Sequence, residues 1–223
     1  DQKRAGVAFL DISTGEFITA EGSFEYVDKL LSSFNPKEIL YERSKRSLFQ
    51  DTFHYNGPRF EMEDWVYTDD SAQRRLLKQF QTVSLKGFGI QNMPLAIIAS
   101  ASVLYYMDMT QHLQLGHIQQ ISRIDEDNYV RLDRYTIRNL ELCNTINQEG
   151  KSLLEILDKT CTPMGKRQLR RWVLFPLKDI KAIEARQEVV EFFMNNKEIH
   201  QYVKERLSLV GDLERIVSKV AVG

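Results

Sequence analysis

Apolar positions in the first half of the chain come in short runs separated by turn residues. Val7 to Ile12 is a compact apolar run, Ser13-Thr14-Gly15-Glu16 has turn chemistry, and Phe17 to Ala20 is apolar again, which predicts a β-hairpin. Phe24, Val27, Leu30 and Leu31 then recur at helical spacing, Pro36 ends the connection, and Glu38 to Glu42 reads as a third strand. Arg43 to Pro58 is polar and broken, a short helix and a surface loop. Asp70 or Ser71 is placed to cap a helix running through Phe80. Asn92 is placed to cap the next, with Pro94 close behind and Leu95 to Met107 as its buried body. Strands alternating with helices predict an α/β layer fold for this half.

Between Gly116 and Asn128 the character changes. Ile121 to Asp127 is a charged connection, and Tyr129 to Leu132 reads as one last short strand. Beyond Asp133 nearly every apolar position follows a helical period: Ile137 to Leu142, Leu153 to Leu157, Met164 to Leu174, Ile180 to Met194, Ile199 to Leu209, and Leu213 onward. Two domains are expected, an α/β domain over 1–124 and an all-α segment over 125–223.

The most informative stretch runs from Gly150 to Arg186. Leu153, Leu154, Ile156 and Leu157 give a first helix its apolar face. Thr162 is an N-cap with Pro163 at the first helical position, where a missing N–H costs nothing. Leu169, Trp172 and Val173 follow at helical spacing, Lys166, Arg167, Arg170 and Arg171 crowd the remaining surface, and Pro176 ends the run.

That order of residues resembles the core domain of the MutS family of bacterial DNA mismatch-repair proteins. The resemblance lies in L-D-R-Y-T-I-R-N-L-E-L (Leu132 to Leu142), T-P-M-G-K-R-Q-L-R-R-W (Thr162 to Trp172), P-L-K-D-I (Pro176 to Ile180) and G-D-L-E-R-I (Gly211 to Ile216). Upstream, A-G-V-A-F-L-D-I-S-T-G-E-F (Ala5 to Phe17) and L-K-G-F-G-I (Leu85 to Ile90) are similar to the family's connector domain. The resemblance implies an RNase H-like connector, a mixed sheet with flanking helices, followed by the beginning of the core or lever domain. It further implies a non-catalytic piece that relays conformational signals between mismatch-binding and ATPase domains. The partners implied for the full-length protein are mismatched double-stranded DNA, MutL and a second copy of itself. ATP and magnesium are implied for the full-length protein through a domain that this chain does not resemble.

Composition narrows the picture further. At 223 residues with 43% hydrophobic and 27% charged positions, the chain has enough material for a real core. No apolar run reaches the roughly 18–20 residues of a membrane span, and nothing resembles a signal peptide. Cys143 and Cys161 suggest no disulfide framework; two reduced thiols fit a cytoplasmic protein. Net charge is −1, against a dedicated nucleic-acid binder. Residues 1–122 carry 12 Lys/Arg and 15 Asp/Glu, the remainder 18 and 16, so neither half draws strongly on phosphates. Both ends read as cut: Asp1 leads almost at once into an apolar strand, and Gly223 falls inside the pattern of Leu213, Ile216, Val217 and Val220 on a helix capped by Asp212.

Several constellations carry possible chemistry. Gly150-Lys151-Ser152 looks like the end of a phosphate loop, but the first glycine of that motif falls at Thr145. Gly150 ending one helix and Ser152 starting the next is the plainer alternative. Gly87-Phe88-Gly89 lacks a third glycine and reads as a turn. Asp11 and Glu42 each end a predicted strand and could hold metal ions for a nuclease of the RNase H type, the alternative to a relay. Asp11 is equally a turn former before Ser13. Asp108, His112 and His117 are a loose metal-ligand trio, against ordinary helix-end polarity. Lys166, Arg167, Arg170 and Arg171 could line a DNA backbone, or serve interdomain packing, which the weak overall charge favours. Gln73, Arg74 and Arg75 are candidates for a MutL-docking surface on the connector-like half, against plain helix surface. No catalytic, cofactor or metal residue is assigned, and little DNA binding is expected of this piece alone.

Overall fold

The computed structural model describes residues 3–110, 115–125, 128–130, 132–147 and 149–222. The chain packs as two compact units, one running to Ile124 and taking in the last residues from Val217, the other from Asp125 to Ile216.

The first unit is built on a hairpin. Strands β1 (Arg4–Asp11) and β2 (Glu16–Ser23) pair antiparallel along their whole length, from Arg4 opposite Ser23 to Asp11 opposite Glu16. Asp11 Oδ1 accepts from the Ser13 N–H at 2.8 Å and the Ser13 hydroxyl at 2.6 Å, while Gly15 supplies a left-handed φ of 73°. Helix α1 (Phe24–Phe34) starts on the Ser23 hydroxyl and stops at Asn35 in the left-handed region. Strand β3 (Ile39–Glu42) does not join the hairpin. It pairs in parallel with β4 (Arg59–Met62) across a 3₁₀ turn and helix α2 (Arg46–Thr52). Strand β5 (Ser122–Arg123) lies parallel to β2, so the main sheet is mixed.

Helices α3 (Asp69–Gln79) and α4 (Pro94–Met109) cover this framework, and α4 packs on the hairpin itself. Among its described residues, Ala96, Ile97, Ala101, Leu104 and Met107 are buried, and so are Ser100 and Ser102. The backbone of its first turn lies directly on β1: a Cβ at Gly6 would stand 2.0 Å from the Leu95 carbonyl oxygen. Thr19 and Ser100, both fully buried, link hydroxyls at 3.0 Å between the sheet and α4; Thr19 Oγ1 also lies 2.9 Å from the Val7 carbonyl oxygen. Buried polar groups are tolerated when paired in this way.

Two expected caps are corrected. Asn92 does not cap α4. The carboxylate of Glu21 on β2 accepts from the Leu95 N–H at 2.9 Å and the Ala96 N–H at 3.3 Å. A buried helix end needs acceptors wherever the chain can supply them, and Arg4 balances the charge at 3.3 Å. Asp70 and Ser71 do not cap α3 either. The helix begins at Asp69, which puts two acids in its first turn, favourable toward the helix dipole, and turns Ser71 to the Tyr105 hydroxyl at 2.8 Å.

The second unit is helical: α5 (Arg134–Asn139), α6 (Leu153–Leu157), α7 (Pro163–Leu174), α8 (Ile180–Asn195), α9 (Lys197–Ser208) and the first residues of α10 (Leu213–Val222). The strand expected at Tyr129 to Leu132 is reduced to one antiparallel bridge between Tyr129 and Leu177; position 131 lies outside the described residues. The helix expected over Ile137 to Leu142 starts earlier, capped by Asp133, and ends before Glu141, which has a φ of 46°. Leu142, Leu154, Leu174 and Phe175 are the buried apolar residues of this unit among those described. Among the described residues no helix is long and apolar enough to cross a membrane.

Substituting Gly6→Ala is expected to destabilise the first unit by about 2 kcal/mol, the usual cost of overpacking, because helix backbone and not a flexible side chain occupies the space. Gly87→Ala, at a position with open space around it, is the control. Urea unfolding midpoints of the two variants should separate accordingly, and equal midpoints would contradict the close approach.

Candidate functional site

Helix α7 carries the four cations Lys166, Arg167, Arg170 and Arg171. It is nucleated by Thr162, whose hydroxyl accepts from the Gly165 N–H at 3.0 Å, with Pro163 in the first turn. Its one buried residue is Leu174, so contacts of other kinds hold most of its length. Lys166 Nζ lies 3.3 Å from Asp158 Oδ2. Arg167 sits between two acids at the start of α10: Nη1 and Nη2 donate to the two Asp212 oxygens at 2.9 and 2.7 Å, and Nε donates to Glu214 Oε2 at 2.9 Å. This is the forked geometry that a guanidinium favours with carboxylates. At the far end Trp172 stacks under the Arg186 guanidinium, 4.0 Å from ring centroid to Cζ, which ties α7 to α8.

The four cations singled out by sequence therefore do not form one face turned to solvent. Lys166 is exposed; Arg167, Arg170 and Arg171 are half-buried. Arg170 lowers the pKa of the Cys143 thiol, although burial outweighs it and pushes the thiol up. Cys143 and Cys161 are both free thiols. Hydrogen bonding from Arg167 holds Asp212 down at about 2, with the Arg215 N–H adding to the effect.

Gln73, Arg74 and Arg75 also separate. Arg75 turns inward and grips Asp108 of α4 with two N–H groups at 2.9 and 3.0 Å, its side chain only 11% exposed. Arg74 is exposed, 3.9 Å from Asp70, and Gln73 donates to Asp69 at 3.1 Å. Arg75 is thus a strut between α3 and α4, which adjacent positions in a sequence give no means of foreseeing.

The remaining constellations resolve into local structure. Ser152 is the N-cap of α6 in a reciprocal capping box with Glu155, whose carboxylate accepts from the Ser152 N–H at 2.7 Å. That hydrogen bond holds Glu155 below the usual carboxylate range. Gly89 ends a 3₁₀ turn in the left-handed region. Asp11 is engaged in the hairpin turn, and Glu42 accepts from Ser44 at the end of a strand in the other sheet. Asp108 belongs to Arg75, His117 Nε2 lies 3.1 Å from the Ile12 carbonyl oxygen, and His112 lies outside the described residues. Among the described residues no group of three or more His, Cys, Asp or Glu side chains gathers as a metal site would require.

Comparison with known proteins agrees with this layout. The pattern of MutS domain II matches residues 1–119, and that of MutS domain III matches residues 135–223. The chain is 57% identical over 221 residues to the DNA mismatch repair protein MutS of Parabacteroides distasonis, covering 98% of the chain and 25% of that protein. It is 56% identical to that of Bacteroides thetaiotaomicron and 54% identical to that of Phocaeicola vulgatus, each over 218 residues with the same coverage. The chain spans about a quarter of the length of these curated relatives.

Because pairing depresses the folded-state pKa of Asp212 from an ordinary 3.8, its contribution to stability is complete above that value and is lost as pH falls through about 2. A carboxyl-carbon NMR titration should place the Asp212 midpoint near 2 in the native chain. In Arg167→Ala it should move up toward the ordinary value, and an unmoved midpoint would remove Arg167 as the cause.

Proposed function

The chain belongs to the MutS family, of which it carries domain II, the connector, and domain III, the core, and on that premise we propose that its work is mechanical. It relays conformational change between a mismatch-binding part and an ATP-hydrolysing part of a longer cytoplasmic protein, both outside this chain. We place the boundary between its two domains at Ile124 and Asp125, leaving 1–124 as connector and 125–223 as the N-terminal part of the core.

One observation carries the reading. Two of the four cations on α7, Lys166 and Arg167, are held by Asp158, Asp212 and Glu214 of the same chain. Electrostatic DNA binding draws on cations that release counterions from phosphates, and ion pairs inside the chain compete with that use. Such pairs instead lock helix to helix, which a relay between two sites requires if each is to bias the other. Arg170 and Arg171, half-buried on the same helix, belong to the same packing role.

The full-length protein would take mismatched duplex DNA, MutL and a second copy of itself as partners, and ATP with magnesium as cofactor. Gly150 to Ser152 does not fit a nucleotide: the Ser152 N–H and hydroxyl both face the Glu155 carboxylate, where a phosphate would need donors. Gln73 and Arg74, exposed on α3, are offered as part of the MutL-docking surface, with Arg75 holding that helix in place.

Fluorescence anisotropy of this chain with matched and mismatched duplexes, with and without ATP over a salt series, tests the assignment. Weak binding is expected, equal for both duplexes and indifferent to ATP. Tight, mismatch-selective or ATP-dependent binding would overturn it.

A further inference from the structure

The grip of Arg167 engages α10 at two points, and its use rests on the relay role proposed above. Asp212 precedes α10 and caps it, its Oδ1 accepting from the Arg215 N–H at 3.3 Å. Glu214 lies in the first turn of the same helix. The guanidinium therefore holds α10 at two points, one before the helix and one inside it, with Nε, Nη1 and Nη2 all engaged on carboxylates. A single contact fixes a position and leaves the helix free to swivel. Two contacts from one rigid planar group also fix its direction.

The surroundings strengthen the case. The side chains of Arg167 and Asp212 are 30% and 16% exposed, so water screens the pair less than it does the open Arg74–Asp70 pair. The buried residue of α7, Leu174, lies at its other end. Lys166 on Asp158 fixes the same turn of α7 to the chain just after α6.

We propose that Arg167 is a positioning residue that fixes the start of α10, at Asp212 and Glu214, against α7, and that the signal relayed through the core passes through this two-point grip. Arg167 then acts on the coupling between DNA and nucleotide sites, and on neither site by itself.

The test uses a full-length MutS carrying this segment, as wild type, R167K and R167A. Three quantities are measured: affinity for a mismatched duplex without nucleotide, basal ATP hydrolysis, and the weakening of mismatch binding that ATP produces. In R167A the first two should stay within about twofold of wild type, while the ATP-induced change shrinks by about tenfold, inside the range of ordinary allosteric coupling. R167K should fall between, because an ammonium is a point charge that cannot fork across both acids. An unchanged ATP response in R167A would overturn the proposal. So would a parallel loss of all three quantities with a lowered melting temperature, which marks a general structural role. If R167A does not fold, the same split is required of R167K. A wild type with no ATP response would instead remove the relay reading itself.

Discussion

Helix α4 rests on the hairpin with no side chain between its first turn and the backbone of β1 at Gly6. At that separation the helix start is partly shielded from water on its β1 side, and the free N–H groups there take an acceptor from the protein. Glu21 supplies it from the neighbouring strand, and Arg4 offsets the charge. The arrangement is self-consistent only as a whole. Without the glycine the helix cannot approach, and without the carboxylate its end is buried unpaired, at a cost of about 1–3 kcal/mol for each such group. The rest of the first unit follows from this seat, since α3 packs on α4 and Arg75 braces the two through Asp108.

The second unit solves a different problem by different means. Its apolar centre is small, gathered around Leu142, Leu154, Leu174 and Phe175, and α8 and α9 have no buried residue among those described. Order there depends on directional contacts: the capping box at Ser152, the Thr162 cap, the Arg186–Trp172 stack and the Arg167 fork. Such contacts are specific in angle, whereas apolar packing is specific in volume.

How much of this was legible beforehand depended on range. Thr162, Ser152 and Asp212 were readable as helix starts because a cap and its N–H lie within three residues of each other. The cap of α4 was not, because Glu21 stands 74 residues from Leu95 and no local pattern links them. Strand β4 escaped for the same reason: parallel pairing with β3 depends on a partner twenty residues away. Arg74 and Arg75 looked alike in sequence, yet one step along a helix turns a side chain by about 100°, from solvent to Asp108. The family resemblance, by contrast, rested on short motifs in order, and MutS domains II and III are the families that the chain matches.

Helix α4 is apolar around most of its circumference, with strand, helix and loop each taking a share of it. Such an element has no face along which it can peel away while the others stay in place. Displacing α4 would therefore uncover the hairpin and α3 together. Segments that share no such element, like the chain ends and loops, are where local opening is expected to begin.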